Sequence, residues 1–217
     1  MGDDGLTAKT RGWLDAIDAY RRPQRDLRLT FSPKDSTLLV VDMQKYFLDE
    51  SSHAYIPLGS AILENIKRLV AAFHAIDRPV LYTRHALLED EPAGMMDRWW
   101  EDVIRVGDPL SEIAPDLVPT SDDDIIRKTR YNAFIGTSLE EKLRATRTEM
   151  LVITGVMTHL CCESTARDAF MRDFSVYFVV DGTATSSEDL HLSSLKTLTD
   201  GFATPITTEE VLSWMRE

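Results

Sequence analysis

The run Thr37-Leu38-Leu39-Val40-Val41 is the clearest indication of the fold. Its residues are apolar or β-branched without polar alternation, which is typical of a strand covered on both faces. Comparable runs follow at 79–83, 124–127, 150–154, 176–180 and 205–207, with helical patterns between them at 61–76, 95–106, 138–145, 161–174 and 190–202. This alternation predicts βαβ units. We therefore expect an α/β protein, a three-layer α/β/α Rossmann-like fold with a mainly parallel sheet of six strands.

Two segments make up the predicted organisation of the 217 residues. Residues 1–36 are polar and mixed, and we interpret them as an N-terminal arm. Within it, residues 13–20 form an amphipathic stretch that predicts a short helix lying across the domain or across a partner subunit. Residues 37–217 form one domain, which ends in a helix that Thr208 caps, with Glu209 and Glu210 in its first turn.

Charge and cysteine content exclude several classes of protein. The net charge is −12, so the surface repels nucleic acid and anionic membranes, and neither is expected as a partner. No run approaches the roughly 18 apolar residues of a membrane span, and the acidic start is unlike a signal peptide, which predicts a cytoplasmic protein. The only cysteines, Cys161 and Cys162, are neighbours, which excludes a disulfide framework.

Three predicted strands end in residues that carry chemistry. In an open parallel sheet, ligands bind beyond the carboxyl ends of the strands, where the strand order reverses. Asp42 leaves the first strand, Lys128 leaves the third, and Cys161 follows the fourth through a glycine and a tight turn. A thiol at the start of a helix beside a lysine has a lowered pKa. The alternatives are a capping Asp42, a surface salt bridge at Lys128 and a cysteine that only packs.

The two cysteines have different predicted roles. One residue along a helix rotates a side chain by about 100° toward another face. Cys161 is therefore the candidate nucleophile and Cys162 the packing residue. An acid, a lysine and a cysteine at neighbouring strand ends form a possible set of base, orienting group and nucleophile.

The sequence resembles the isochorismatase-like cysteine hydrolase superfamily, which includes nicotinamidases, carbamoylsarcosine amidases and isochorismatases. The resemblance runs from about residue 37 to the C-terminus. It implies a catalytic triad of Asp42, Lys128 and Cys161. It also implies a cis peptide bond between Val156 and Met157, with the N–H groups of Met157 and Cys161 as an oxyanion hole. Three segments carry it: Asp42-Met43-Gln44, Lys128-Thr129-Arg130-Tyr131-Asn132-Ala133-Phe134 and Gly155-Val156-Met157-Thr158-His159-Leu160-Cys161-Cys162-Glu163-Ser164-Thr165-Ala166-Arg167-Asp168-Ala169.

The resemblance leaves the branch of the superfamily open. The retained Cys161 favours a cysteine hydrolase that cleaves an amide or carbamoyl C–N bond through a thioester acyl-enzyme. His159 and the segment that begins at Arg130 also occur in isochorismatases, so one alternative is vinyl-ether hydrolysis that releases pyruvate, with Asp42 as general acid. The other alternative is a non-catalytic module that binds carrier domains.

Aromatic and polar side chains near the strand ends predict a pocket for a small, flat or cyclic substrate. Arg84 and Arg130 either receive a carboxylate or form surface salt bridges. Of the adjacent Trp99 and Trp100, one is expected in the core and the other at the pocket or a subunit contact. The candidate substrate-binding residues are Gln44, Phe47, His85, Trp100, Tyr131, Phe134 and His159.

The histidine spacing does not predict a metal site. Metal-dependent nicotinamidases carry an Asp-x-His pair plus a further His after the second strand, three ligands that would hold an open site, whereas this chain has only His85 there. No metal and no cofactor are therefore expected. The amphipathic arm and the Trp99-Trp100 pair together predict a homodimer or a larger homo-oligomer.

Overall fold

The sheet has six strands in a computed structural model that describes residues 3–21, 30–100, 102–117, 119–120 and 123–216. All strand pairs are parallel, and the order across the sheet is β3-β2-β1-β4-β5-β6. The predicted α/β class is confirmed, and the sheet is wholly rather than mainly parallel. The strands are β1 (Ser36–Val41), β2 (Val80–His85), β3 (Asp124–Lys128), β4 (Met150–Val156), β5 (Ser175–Ala184) and β6 (Thr204–Ile206).

Helices cover this sheet in the three-layer arrangement that the pattern predicts. The longest, α3, packs against β1, β4 and β5 and also contacts α8, whereas α6 packs against β5 and contacts α7. The helices are α1 (Asp3–Ile17), α2 (Lys45–Leu48), α3 (Gly59–Ala75), α4 (Met95–Trp100), α5 (Leu139–Ala145), α6 (Glu163–Met171), α7 (Glu188–Gly201) and α8 (Thr208–Trp214), with a π-helical turn at Thr158–Cys162.

The strand order reverses between β1 and β4, which creates the crevice where ligands bind in such sheets. Every residue of β1 and β4 is buried, which explains their continuous apolar runs. Val41 lies beside Gly155 in the register. Gly155 has φ +108°, and a Cβ there would lie 2.0 Å from the carbonyl oxygen of Val41. Only glycine fits this close approach, so Gly155 fixes the spacing of the two strand ends.

The N-terminal helix packs on the domain itself. α1 contacts α7 and β5, and Trp13 and Ile17 are fully buried in the core. The apolar face of the arm therefore packs against its own domain, which is the first of the two predicted alternatives. The boundary at residue 36 stays a prediction, and residues 22–29 of the arm lie outside the described part.

Two local predictions are wrong. The helix expected over 95–106 ends at Trp100, because the following segment returns to β2 and Arg105 forms an isolated bridge with Leu87. As a result Trp99 and Trp100 are both exposed, and neither is a core residue. At α8 the N-cap is Thr207 rather than Thr208, with Glu210 completing a capping box.

The helices carry no sign of a membrane span. Over the described ranges of the chain, no helix is both long and apolar enough to cross a bilayer.

Candidate active site

The carboxyl ends of β1, β3 and β4 bring three reactive side chains together. Asp42 directly follows β1 with a left-handed backbone, φ 47°, a conformation that few residues other than glycine adopt. Its N–H donates to Thr83 Oγ1 on β2 at 3.1 Å, and that hydroxyl donates to Asp42 Oδ1 at 2.7 Å. Thr83 therefore fixes both the backbone and the carboxylate of Asp42, a role that sequence reasoning missed.

Asp42, Lys128 and Cys161 form what we call the inner cluster. Lys128 Nζ lies 2.7 Å from Asp42 Oδ2, and it donates to Cys161 Sγ at 3.3 Å and to the carbonyl oxygen of Arg130 at 2.9 Å. The side chains of Asp42 and Lys128 are 0% exposed, so the alternatives of a capping aspartate and a surface salt bridge do not describe them. The structure brings these predicted residues into direct contact.

Burial controls the protonation of the inner cluster. It raises the pKa of the Cys161 thiol to about 12, and the positive charge of Lys128 opposes this rise without cancelling it. Burial alone would lower the pKa of Lys128, but the contacts with Asp42 and, to a smaller extent, with Cys161 outweigh burial and raise the pKa above its ordinary value. The resting cluster is therefore a protonated thiol beside a charged lysine. The expected low thiol pKa is wrong because desolvation exceeds the effect of the lysine.

The two cysteines occupy different environments. Cys161 is 6% exposed and lines a cavity, whereas Cys162 is fully buried with Sγ 4.0 Å from the carbonyl oxygen of Thr154. The peptide bond between Val156 and Met157 is cis, at the position that the resemblance implies. Met157 also lines the cavity, and its carbonyl oxygen accepts from the N–H of Cys162 at 3.2 Å.

Buried side chains of α7 hold the π-helical turn in place. Thr158 Oγ1 lies 2.9 Å from Nδ1 of His191, and Ser194 Oγ donates to the carbonyl oxygen of Thr158 at 3.3 Å. The ring of Trp13 lies 4.3 Å from that of His191, and its Nε1 donates to Glu188 at 2.9 Å. The N-terminal helix is thus linked to the turn that carries Cys161. The amphipathic pattern indicated a buried face for this helix, but not which element it would contact.

A cavity of about 310 Å³ lies in front of Cys161. Five of the seven predicted substrate-binding residues line it, together with Met157 and Cys161, whereas Asp42 and Lys128 lie behind Cys161 outside the lining. The residues that line it are Tyr46, Phe47, His53, Ala54, Tyr55, His85, Met96, Trp100, Asp102, Val103, Ile104, Tyr131, Met157, His159, Leu160, Cys161, Ser186 and Leu190.

Gln44 and Phe134 are the two predicted pocket residues that do not line the cavity. Gln44 is fully buried because its amide holds backbone groups: Nε2 donates to the carbonyl oxygens of His85 and Ser111, and Oε1 accepts from the N–H of His85. Phe134 stacks on Phe174 with ring centroids 6.2 Å apart. Gln44 therefore positions the strand end that carries His85, and Phe134 packs in the core.

Two of the three histidines on the cavity wall, His85 and His159, have lowered pKa values and are uncharged near neutral pH. Burial, followed by the charge of Lys128, lowers the pKa of His85 to about 4. Burial also lowers the pKa of His159, whose Nδ1 lies 2.7 Å from Thr185 Oγ1. Both rings therefore offer hydrogen bonds rather than positive charge to a ligand.

Tyr46, His53 and Asp102 form a second group on the cavity wall, which we call the rim cluster. Tyr46 donates its hydroxyl to Asp102 Oδ2 at 3.2 Å, and His53 Nδ1 lies 3.2 Å from the same oxygen. Their side chains are far more exposed than the inner cluster, 59% for His53 and 50% for Asp102. Sequence reasoning missed this group because its residues do not lie at the ends of predicted strands, and only the paths of the loops bring them together.

Arg84 and Arg130, the two predicted carboxylate receptors, lie outside the cavity lining. Arg84 Nη1 pairs with Glu112 Oε1 at 3.1 Å, and Arg130 Nη1 donates to the carbonyl oxygen of Thr129 at 2.7 Å. Among the residues whose placement is described, no group of three or more His, Cys, Asp or Glu side chains is arranged to hold a metal ion.

Residues 36–210 match the family model described as Isochorismatase domain. The chain belongs to the isochorismatase family. It is therefore a hydrolase of the isochorismatase family, with an α/β fold, and the family acts on small-molecule substrates. The match covers every strand from β1 to β6 and all three residues of the inner cluster.

Curated relatives and solved structures in this family are similar over most of the chain. Nicotinamidase 3 of Arabidopsis thaliana is 37% identical over 78% of this chain and 83% of its own length. Enterobactin synthase component B of Escherichia coli (strain K12) is 33% identical over 90% of this chain and 68% of its own length. The crystal structure of a cysteine hydrolase from Pseudomonas syringae pv. phaseolicola 1448A superposes with a TM-score of 0.84 at 30% identity, covering 87% of this chain and 96% of that one.

Proposed function

We propose that this protein hydrolyses an amide or carbamoyl C–N bond of a small molecule through a thioester acyl-enzyme. The observation that carries the proposal is the placement of Cys161, whose thiol contacts Lys128 at 3.3 Å and also lines the cavity. A protein that only binds a carrier domain has no need for a buried lysine and carboxylate behind a thiol. The similarity to a nicotinamidase and to a cysteine hydrolase supports the same chemistry.

In the acylation step Asp42 is the general base. The thiol proton of Cys161 passes to the Asp42 carboxylate as the sulfur electron pair forms a bond to the substrate carbonyl carbon. The raised pKa of Cys161 makes this transfer necessary, because the resting thiol is protonated. Lys128 stays charged and stabilises the negative charge that develops on sulfur. The N–H groups of Met157 and Cys161 receive the oxyanion in this proposal, a contribution of about 3 to 4 kcal/mol for each donor.

Collapse of the tetrahedral intermediate releases the nitrogen. The C–N bond breaks, and the leaving nitrogen takes the proton from Asp42 and departs as ammonia or an amine. Water then attacks the thioester while Asp42 accepts its proton. The C–S bond breaks, the proton returns to sulfur, and the products are a carboxylic acid and the free thiol. The same carboxyl group therefore cycles through both halves of the reaction.

The shape of the cavity indicates the size and form of the substrate. Its volume of about 310 Å³ suits a molecule of one or two rings. Phe47, Trp100 and Tyr131 on its wall offer flat faces to an aromatic or cyclic group. The wall is not uniformly apolar, since His85 and His159 supply hydrogen-bonding groups near Cys161.

The test is product analysis with purified protein against a panel of small amides, carbamoyl compounds and isochorismate. The proposal expects ammonia from at least one amide or carbamoyl compound and none with Cys161→Ala. Pyruvate from isochorismate in wild-type protein, with activity retained in Cys161→Ala and lost in Asp42→Asn, would instead establish the vinyl-ether alternative. Absence of both products would leave the carrier-binding module as the better explanation.

We also propose a homodimer or larger assembly. The N-terminal arm does not supply an exposed surface for this assembly, because Trp13 and Ile17 are buried within their own chain. The support comes from α4 and its flanks, where Met95 and Trp99 are exposed at 64% and 72%. Light scattering at micromolar concentration is expected to give at least twice the chain mass of 24.6 kDa. The cytoplasmic location stays a prediction.

A further inference from the structure

The cavity wall carries one carboxylate. Among the described residues that line the cavity, Asp102 is the one acidic side chain, and no lysine or arginine is present. Of the three histidines in the lining, His53 lies 3.2 Å from Asp102, whereas burial lowers the pKa of His85 and of His159. Lys128 lies behind Cys161, where Asp42 at 2.7 Å balances its charge. At a pH where the imidazoles are uncharged, a bound ligand therefore encounters a net negative field.

Asp102 has capacity to bind a ligand. Its Oδ2 already accepts from Tyr46 and lies beside His53, whereas its Oδ1 has no hydrogen-bond or ion-pair partner within the described residues. The contact with Tyr46 restrains the carboxylate, and the negative charge of Asp102 adds to burial in raising the pKa of that phenol. Tyr46 is therefore a donor to Asp102 and not a source of negative charge. One carboxylate oxygen remains for a donor group on the ligand.

Asp102 and Cys161 belong to different wall segments. Cys161 comes from the turn after β4, whereas Asp102 comes from the chain that follows α4. A substrate whose carbonyl carbon is at Cys161 reaches the rim cluster when its other end extends to the segment after α4. A carboxylate at that end would lie in the field of Asp102 without a cation to pair with, which is unfavourable.

We propose that the cavity selects amides that carry a cationic, hydrogen-bond-donating nitrogen at the end remote from the scissile carbonyl, with Asp102 as the group that recognises it. Carboxylate-bearing amides are rejected. The inference rests on the proposed C–N hydrolase function and names the charge class of its substrate. Asp102 is a specificity-determining residue in this view, held in place by Tyr46 and His53.

The experiment uses three amides that share one ring and one scissile bond: benzamide, 3-(aminomethyl)benzamide and 3-carbamoylbenzoate. Ammonia release is measured at pH 8, where an ordinary imidazole is uncharged. Wild-type protein should prefer the cationic amide over the anionic one by about 100-fold in kcat/KM, as expected for a charged hydrogen bond replaced by repulsion. Asp102→Asn should reduce this ratio by about tenfold, mainly through KM.

The matched control is Asp97→Asn, which removes the same charge from exposed α4 outside the cavity lining. The ratio of kcat/KM for the cationic amide to kcat/KM for the anionic amide should stay within about twofold of wild type, because an exposed charge outside the cavity is screened by salt. An anionic amide hydrolysed as well as the cationic one, or an equal change in the two variants, would overturn the role of Asp102.

Failure of the proposed function has a separate signature. If none of the three amides releases ammonia, their binding to Cys161→Ala protein is measured by calorimetry. Tighter binding of the cationic amide, weakened by Asp102→Asn, would support the recognition role even though the C–N hydrolase proposal had failed. Equal affinities for the three amides would overturn the recognition role as well.

Discussion

The inner cluster and the rim cluster each contain an aspartate and two other side chains. The inner cluster reaches the cavity through Cys161, and the rim cluster lines it with all three of its residues. In the inner cluster the Asp42 and Lys128 side chains are 0% exposed and 2.7 Å apart. In the rim cluster Asp102 is 50% exposed and lies 3.2 Å from His53. The inner aspartate is held by Thr83 on β2, whereas the rim aspartate is held by Tyr46 of α2 and His53 of the loop that follows it. Both aspartates therefore have a partner within hydrogen-bonding distance, but only the rim aspartate is exposed to solvent.

This difference decides what each cluster does. Two unit charges at 4 Å interact by about 1 kcal/mol in water and by about 4 kcal/mol at an effective dielectric constant of 20. Removing one member of a buried pair leaves an uncompensated charge, whereas exposed pairs contribute little. The inner cluster therefore suits proton transfer between fixed partners, and the rim cluster suits recognition of a charge that the ligand brings.

Loss of the nucleophile should have the largest effect. Cys161→Ala removes the thiol that forms the thioester, so kcat on an amide substrate should fall at least about 1,000-fold. Cys162→Ala is the matched control, because Cys162 is buried outside the cavity lining, and it should keep most of the activity while losing some stability. Similar kcat values for wild type and Cys161→Ala would contradict the covalent mechanism.

Lys128→Met should have the next largest effect because it leaves the Asp42 carboxylate buried without its cation. The free energy of unfolding in urea should fall by about 3 to 5 kcal/mol. The thiol pKa of Cys161, read from the pH dependence of iodoacetamide alkylation, should rise further because Lys128 lowers it in the intact protein.

Lys128→Arg is the control for this experiment, since it keeps the charge but changes its geometry. It should restore part of the stability that Lys128→Met loses. An unchanged thiol pKa in Lys128→Met would remove Lys128 from the role of thiolate stabiliser.

Stability should decrease as the pH falls through the weakly acidic range. Burial lowers the pKa of His85 and of His191 to about 4, whereas histidine in an unfolded chain titrates near 6.5. Between these values the unfolded state binds protons that the folded state does not, so the free energy of unfolding falls as pH falls and is level above about 6.5. Each histidine contributes up to about 1.4 kcal/mol per pH unit.

His191→Gln isolates one of these contributions without altering the cavity lining. Urea unfolding at pH 7 and at pH 5 should show a smaller loss of stability in the variant than in wild type. An identical pH dependence in the two proteins would show that His191 is protonated without cost in the folded state.

Changes in the rim cluster should have the smallest effect on stability. His53→Gln removes an imidazole whose side chain is 59% exposed, so the free energy of unfolding should change by less than about 1 kcal/mol. Thermal unfolding at low and high salt checks this, because screening should remove most of the difference. A loss as large as that in Lys128→Met would mean that the rim cluster is structural.

Local pattern was enough to predict the strands and the three reactive strand ends. Buried parallel strands have continuous apolar runs, and the parallel topology brings their carboxyl ends to one edge whatever the loops do. Asp42, Lys128 and Cys161 were predicted for this reason. The distinction between Cys161 and Cys162 also followed from local geometry, because successive residues of a helical turn face different directions.

Other features depend on contacts between distant segments. The α/β class, the strand ends and the residues of the inner cluster can be predicted from the sequence, since each follows from the pattern of a few consecutive residues. The burial of Gln44, the exposure of Trp99 and Trp100, the raised pKa of Cys161 and the assembly of the rim cluster depend on the tertiary structure. Desolvation and loop paths depend on which surfaces the whole chain brings together, and a short stretch of sequence does not record them.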